Sequence, residues 1–121
     1  MANNLLKGKR GIIFGALNEQ SIAWKVAQRA REEGATFVLT NAPIAMRMGE
    51  ISNLAKETGS EIIPADATSV EDLDNLISKS MEILGGKLDF VLHSIGMSPN
   101  VRKGKHYTEN NYAFYNQSMD V

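Results

Sequence analysis

Gly11-Ile12-Ile13-Phe14-Gly15-Ala16-Leu17-Asn18-Glu19-Gln20-Ser21-Ile22-Ala23-Trp24 decides how this chain is read: an apolar strand stops at a glycine, crosses a polar loop and enters a helix. Gly15 lets backbone come close to a ligand without a Cβ in the way. The helix after Ser21 points free N–H groups at negative charge held in the loop. Strand, loop and helix in this order form a cradle for a dinucleotide pyrophosphate. The simpler reading of Gly15 is a turn between strand and helix. Ser21 suits a helix cap and a phosphate donor alike, and one hydroxyl can serve as both. Ile22, as an apolar side chain, fits a place in the core.

Outward from that stretch, strands and helices alternate. Arg10 to Phe14 forms the first strand, and Ser21 to Glu33 a helix whose buried face carries Ile22, Ala23, Val26, Ala27 and Ala30, with Gly34 as its stop. Thr36 to Thr40 is the next strand. A second helix spans about Ile44 to Thr58, with Ile44, Met48, Ile51 and Ala55 on one stripe and Gly59 ending it. Glu61 to Ala65 is the third strand, and Pro64 within it, lacking an N–H, belongs at a sheet edge. The third helix opens on a capping box of Ser69 and Asp72, buries Leu73, Leu76, Ile77 and Leu84, and breaks at Gly85-Gly86. Leu88 to His93 is strand four, followed by a polar loop to about His106 and a helical segment from Thr108. The fold class is α/β, the first half of a doubly wound parallel sheet in the order 3-2-1-4 with Pro64 on the outermost strand. The 121 residues read as a single dinucleotide-binding domain, incomplete at the C-terminus because nothing pairs the outer edge of strand four.

The generic Gly-x-Gly-x-x-Gly fingerprint is not met, since Ala16, Leu17 and Asn18 follow Gly15. Gly15, five residues and then Ser21-Ile22-Ala23, with Thr40 ending strand two, Asp66 after strand three and His93-Ser94-Ile95-Gly96 after strand four, instead resembles the divergent short-chain dehydrogenases that include the NADH-dependent enoyl-acyl carrier protein reductases. The resemblance covers essentially the whole chain and implies a Rossmann-type fold. The larger dehydrogenase group usually reads Asn-Asn-Ala-Gly where this chain has His-Ser-Ile-Gly, which favours the enoyl reductase branch over a ketoreductase.

The same resemblance implies that Gly15, Ser21, Ile22, Asp66, Ala67, Ile95 and Gly96 hold the cofactor, with Ser98, and Met97 beside it, facing the substrate. It places no catalytic residue in this chain, because the family's tyrosine and lysine lie on a later helix. Here Tyr107, Tyr112 and Tyr115 all follow the last lysine, Lys105. The expectation is therefore the N-terminal part of a longer enzyme that moves hydride from NADH to a trans-2-enoyl thioester linked to acyl carrier protein or coenzyme A. By resemblance, the complete enzyme works in fatty acid biosynthesis as a cytoplasmic homotetramer. A ketoreductase of the same superfamily and a non-catalytic dinucleotide-binding module are the alternatives.

Dinucleotide folds usually carry an acid about 20 positions after the loop glycine, bonded to the ribose hydroxyls. Asn41-Ala42-Pro43 stands there, which keeps NADPH open beside NADH. Arg47 suits a 2′-phosphate or simply a solvated helix face. Asp66 suits the exocyclic amine of adenine or an Asx turn leading into Ser69. His93 reads as a structural residue at a strand end, Trp24 as helix packing, and Arg102, Lys103, Lys105 and His106 as a solvated loop that could also meet an acidic carrier protein.

Composition bounds the rest. A 43% hydrophobic and 22% charged chain is ordinary for a globular protein, and a net charge of −1 gives no reason to propose nucleic acid or an anionic membrane. No cysteine is present, which removes disulfides, thiolate catalysis and cysteine-bound metals together. Two histidines far apart suggest no metal site. No apolar run approaches the roughly 18 residues of a membrane span, and Met1-Ala2-Asn3-Asn4 does not read as a signal peptide.

Overall fold

The structure is a computed structural model that describes residues 4–48, 50–95 and 116, without the side chains of residues 45, 47 and 48. The elements run β1 (Arg10–Phe14), α1 (Ile22–Glu32), β2 (Thr36–Thr40), α2 (Pro43–Met48), α3 (Ile51–Thr58), β3 (Glu61–Ile62), α4 (Val70–Ile83) and β4 (Phe90–His93). All pairings are parallel and the sheet order is β3-β2-β1-β4, as the alternation of elements and Pro64 predict. Ile12 stands beside Val38 and Val91, and Phe14 beside Thr40 and His93. Gly11 pairs with Phe90, whose ring covers the place a side chain at Gly11 would take.

β1 and β2 are buried along nearly their whole length, as a parallel sheet covered on both faces requires. On one face Ile13, Phe37 and Leu39 pack against Ala23, Trp24 and Ala27 of α1 and Leu54 of α3. On the other, Ile12, Phe14 and Val38 pack against Leu76 and Leu84. α4 has no basic residue in its last turn. Arg10 supplies that charge from β1, its Nη1 donating to the Leu84 carbonyl at 2.5 Å, where a cation offsets the negative end of the helix.

Several expectations need correction. The expected long second helix is two helices, one ending at Met48 and the next starting at Ile51, and the Glu50 N–H between them donates to the Leu17 carbonyl at 2.8 Å instead of continuing a helix. Of the expected stripe, Ile44 is exposed and Ile51 is buried as expected, with Leu54 packing beside it; the Met48 side chain lies outside the described residues. In α1 the core face is Ala23, Trp24, Ala27 and Ala30. Ile22 is 74% exposed and Val26 also faces outward. Ile77 of α4 is likewise exposed, while Leu84 is buried just past the helix end.

Two strands are shorter than expected. β3 ends at Ile62, although Ile63 and Ala65 still donate to the Leu39 and Asn41 carbonyls. Pro64 lies between those two donors, so its missing N–H falls on the free edge, where it costs no ladder bond. β4 starts at Phe90 rather than Leu88, because the Asp89 carboxylate accepts the Arg10 N–H at 2.9 Å. β4 has a neighbour on its β1 side alone among the described residues. Of the segment from Thr108, Asn116 is described, in helical conformation.

Candidate functional site

Parallel strands bring their carboxyl ends to one edge, and the segments after β1, β2, β3 and β4 all leave from it. In open α/β sheets the ligand crevice lies at this edge. A recess lined by Arg10, Thr36, Ile83, Leu84 and Gly85 opens at the opposite, amino edge and plays no part in the site.

Gly15 sits where three strand ends meet. Its φ is +97°, its N–H donates to the Thr40 carbonyl at 3.1 Å, and a Cβ there would fall on the backbone of Ser94. Glycine is thus required by the chain's own crossing.

Ser21 stands at the N-cap position of α1 without capping it. Its Oγ accepts from Leu17 N at 3.0 Å and Asn18 N at 3.1 Å, so the hydroxyl holds the loop instead of the helix. The first turn of α1 has no side-chain cap and no acidic residue. α4 is built the other way. Ser69 Oγ accepts from Asp72 N at 3.3 Å, and Glu71 and Asp72 lie in the first turn. The expected capping box is only half formed, since the Asp72 carboxylate turns to the Asp66 N–H at 2.9 Å. The positive end of α4 is therefore answered by its own side chains, and that of α1 is left for an anion. Ile22, at the start of α1, is largely exposed and belongs to neither core cluster.

Asp66 forms the Asx turn that is the plainer of its two sequence readings. Its Oδ1 accepts from Thr68 N at 2.9 Å and Thr68 Oγ1 at 2.7 Å. These bonds, the side-chain one first, hold its carboxyl below the usual carboxylate range. Both Thr68 donors fall on Oδ1, so the turn does not use Oδ2. Ala67 lies in the same turn, half-buried. Ile95 is half-buried against the Phe14 side of the core. His93 is exposed, with its ring 6.2 Å from that of Phe14. Trp24 packs in the core as expected. Gly96, Met97, Ser98, the basic residues from Arg102 to His106 and the Arg47 side chain lie outside what the structure describes.

Sequence reasoning missed Asn41, which it read only as the absence of an acid. Its Nδ2 donates to the Ala16 carbonyl at 3.0 Å, its Oδ1 accepts from Ala42 N at 2.9 Å, and its carbonyl accepts from Ala65 N at 3.0 Å. The available signal was an asparagine just past a strand, where its amide readily bonds nearby backbone.

The glycine loop after the first strand and the order β3-β2-β1-β4 define the first half of a Rossmann-type doubly wound sheet. Comparisons with known proteins narrow this class. The family described as enoyl-(acyl carrier protein) reductase matches residues 15–121. An NADH enoyl-[acyl-carrier-protein] reductase of Rickettsia bellii is 35% identical over 123 residues, covering 100% of this chain and 46% of its own length. The crystal structure of the FabI–NADH complex from Alistipes finegoldii is 64% identical, with a TM-score of 0.92, and the match covers 98% of this chain and 42% of that one. The corresponding NADH reductase structure from Aquifex aeolicus gives 32% identity and a TM-score of 0.82, over 96% of this chain and 45% of that one. The chain belongs to the enoyl-(acyl carrier protein) reductase family. It spans less than half the length of these relatives. Among the described residues no helix is long and apolar enough to cross a membrane.

Proposed function

We propose that these 121 residues form one dinucleotide-binding domain and supply the cofactor site of an enoyl-acyl carrier protein reductase that uses NADH. The observation that carries the reading is the first turn of α1, left without cap or acid while Ser21 is engaged in the loop. A pyrophosphate is the anion that such a turn suits, beside a glycine, which has no Cβ. The named cofactor of the Rickettsia bellii relative and the NADH in the Alistipes finegoldii complex support the choice of dinucleotide.

In this reading Gly15, Ser21 and Ile22 meet the pyrophosphate, and Asp66 and Ala67 border the adenine. Ile95 and Gly96 run beside the nicotinamide ribose, and Ser98 faces the substrate. When bound, the dinucleotide supplies the hydride that reduces the double bond of a trans-2-enoyl thioester carried on acyl carrier protein or coenzyme A. The chain's own part is to bind and orient it. NADPH is the second cofactor to compare, and a cytoplasmic homotetramer is the assembly this reading carries.

The test is titration of the natural protein with NADH and NADPH, followed by an assay of crotonyl-thioester-dependent loss of reduced-cofactor absorbance. Binding with crotonyl-dependent turnover supports the reading. Absence of dinucleotide binding overturns it, and turnover with acetoacetyl thioester alone reassigns the protein to ketoreduction.

A further inference from the structure

We infer that Asn41 is a positioning residue for the cofactor loop: its carboxamide latches the turn after β1 to the end of β2 and does not serve as the adenosine-ribose ligand. This rests on the cofactor reading above.

The amide is engaged on both sides, Nδ2 to the Ala16 carbonyl and Oδ1 to the Ala42 N–H. One partner is an acceptor and the other a donor, so turning the amide over would lose both bonds. The Asn41 carbonyl also takes the Ala65 N–H, so one residue joins the ends of β1, β2 and β3. An aspartate at this position would set a carboxylate oxygen against the Ala16 carbonyl, acceptor against acceptor. That explains an asparagine where dinucleotide folds often place an acid.

The latch works with two others. Leu17 is held through its N–H by Ser21 Oγ and through its carbonyl by the Glu50 N–H, and Ala16 between the latches is buried. The loop is thereby fixed before any ligand arrives, which lowers the ordering cost of binding. Because Asn41 carries no charge and its amide is engaged within the chain, choice between NADH and NADPH does not run through it.

The experiment uses the natural protein, with N41A and N41S, and reads two quantities. Dissociation constants for NADH and NADPH are measured well below the melting temperature. Amide exchange at Ala42, Leu17 and Asn18 is measured without ligand. The expected result is a loss of about tenfold in affinity for both nucleotides, with their ratio unchanged, and faster exchange at these amides in the free protein. A core variant, L76V, separates positioning from general destabilisation: it lowers the melting temperature and leaves both constants in place. Unchanged affinity in N41A and N41S overturns the inference, as does a NADH-to-NADPH ratio shifted by about tenfold, which would mark a direct ribose contact. A parent protein that binds neither nucleotide overturns the cofactor reading itself. Unchanged exchange at Ala42 refutes the latch whether or not nucleotide binds.

Discussion

Gly15 packs against Ser94 so tightly that a Cβ at position 15 would fall on the Ser94 carbonyl. The contact joins the end of β1 to the end of β4, and the φ of +97° at Gly15 is itself unfavourable for an L side chain. G15A therefore meets both backbone strain and a clash with main chain that cannot rotate away. We expect a loss of about 2–3 kcal/mol in stability, measured by urea unfolding, with loss of dinucleotide binding. A G15A protein as stable as the parent would show that β1 and β4 do not cross as described.

The two serines at the helix starts separate capping from loop support. S69A removes a true cap and should cost about 1 kcal/mol, with faster amide exchange at Asp72. S21A should leave the first turn of α1 unchanged and instead speed exchange at Leu17 and Asn18, whose N–H groups lose their acceptor. Native-state hydrogen exchange reads both.

Most of the sheet was legible because its signals are local. β1 and β2 have the expected bounds, since an apolar run ending at Gly15 or Asn41 has few other solutions. The edge placement of β3 followed from the proline's missing donor. The face of α1 was read correctly at Ala23, Ala27 and Ala30 and wrongly at Ile22 and Val26, because apolar residues can be fitted to a helical stripe without telling which neighbour α1 meets. Trp24 turns in and Ile22 out once α1 lies on Phe37 and Leu39. The break in the expected second helix was missed because Leu17, whose carbonyl takes the Glu50 N–H, is remote in sequence, so the bond could not be read from either segment alone. Asn41 was invisible for the same reason: its type predicts backbone bonding, and its partner Ala16 belongs to another strand's loop.

Two buried hydroxyls, Thr40 Oγ1 and Ser80 Oγ, have no hydrogen-bond partner among the described residues. A desolvated hydroxyl without a partner costs more than an apolar group of similar shape. T40V and S80A should each raise stability by about 1 kcal/mol, S80A partly through the better helix propensity of alanine. Differential scanning calorimetry checks this, and a fall in melting temperature for either variant would reveal a partner for its hydroxyl.

Thr68 makes the turn after β3 sensitive to acid through Asp66. Its hydroxyl and N–H both donate to Asp66 Oδ1 and hold the carboxyl below its ordinary value. A folded-state pKa below the unfolded one adds stability that is fully present above the unfolded value, near 3.9, and is lost as pH falls through the folded value. T68V keeps the N–H and removes the hydroxyl, the larger of the two contributions. NMR titration of the Asp66 carboxyl carbon should show its pKa moving up toward the ordinary value in T68V. The stability difference between parent and variant should narrow as pH falls below about 4, where protonation of Asp66 weakens both bonds in the parent. A pKa unchanged by T68V would mean that the Thr68 N–H alone holds the carboxylate and that the hydroxyl points elsewhere.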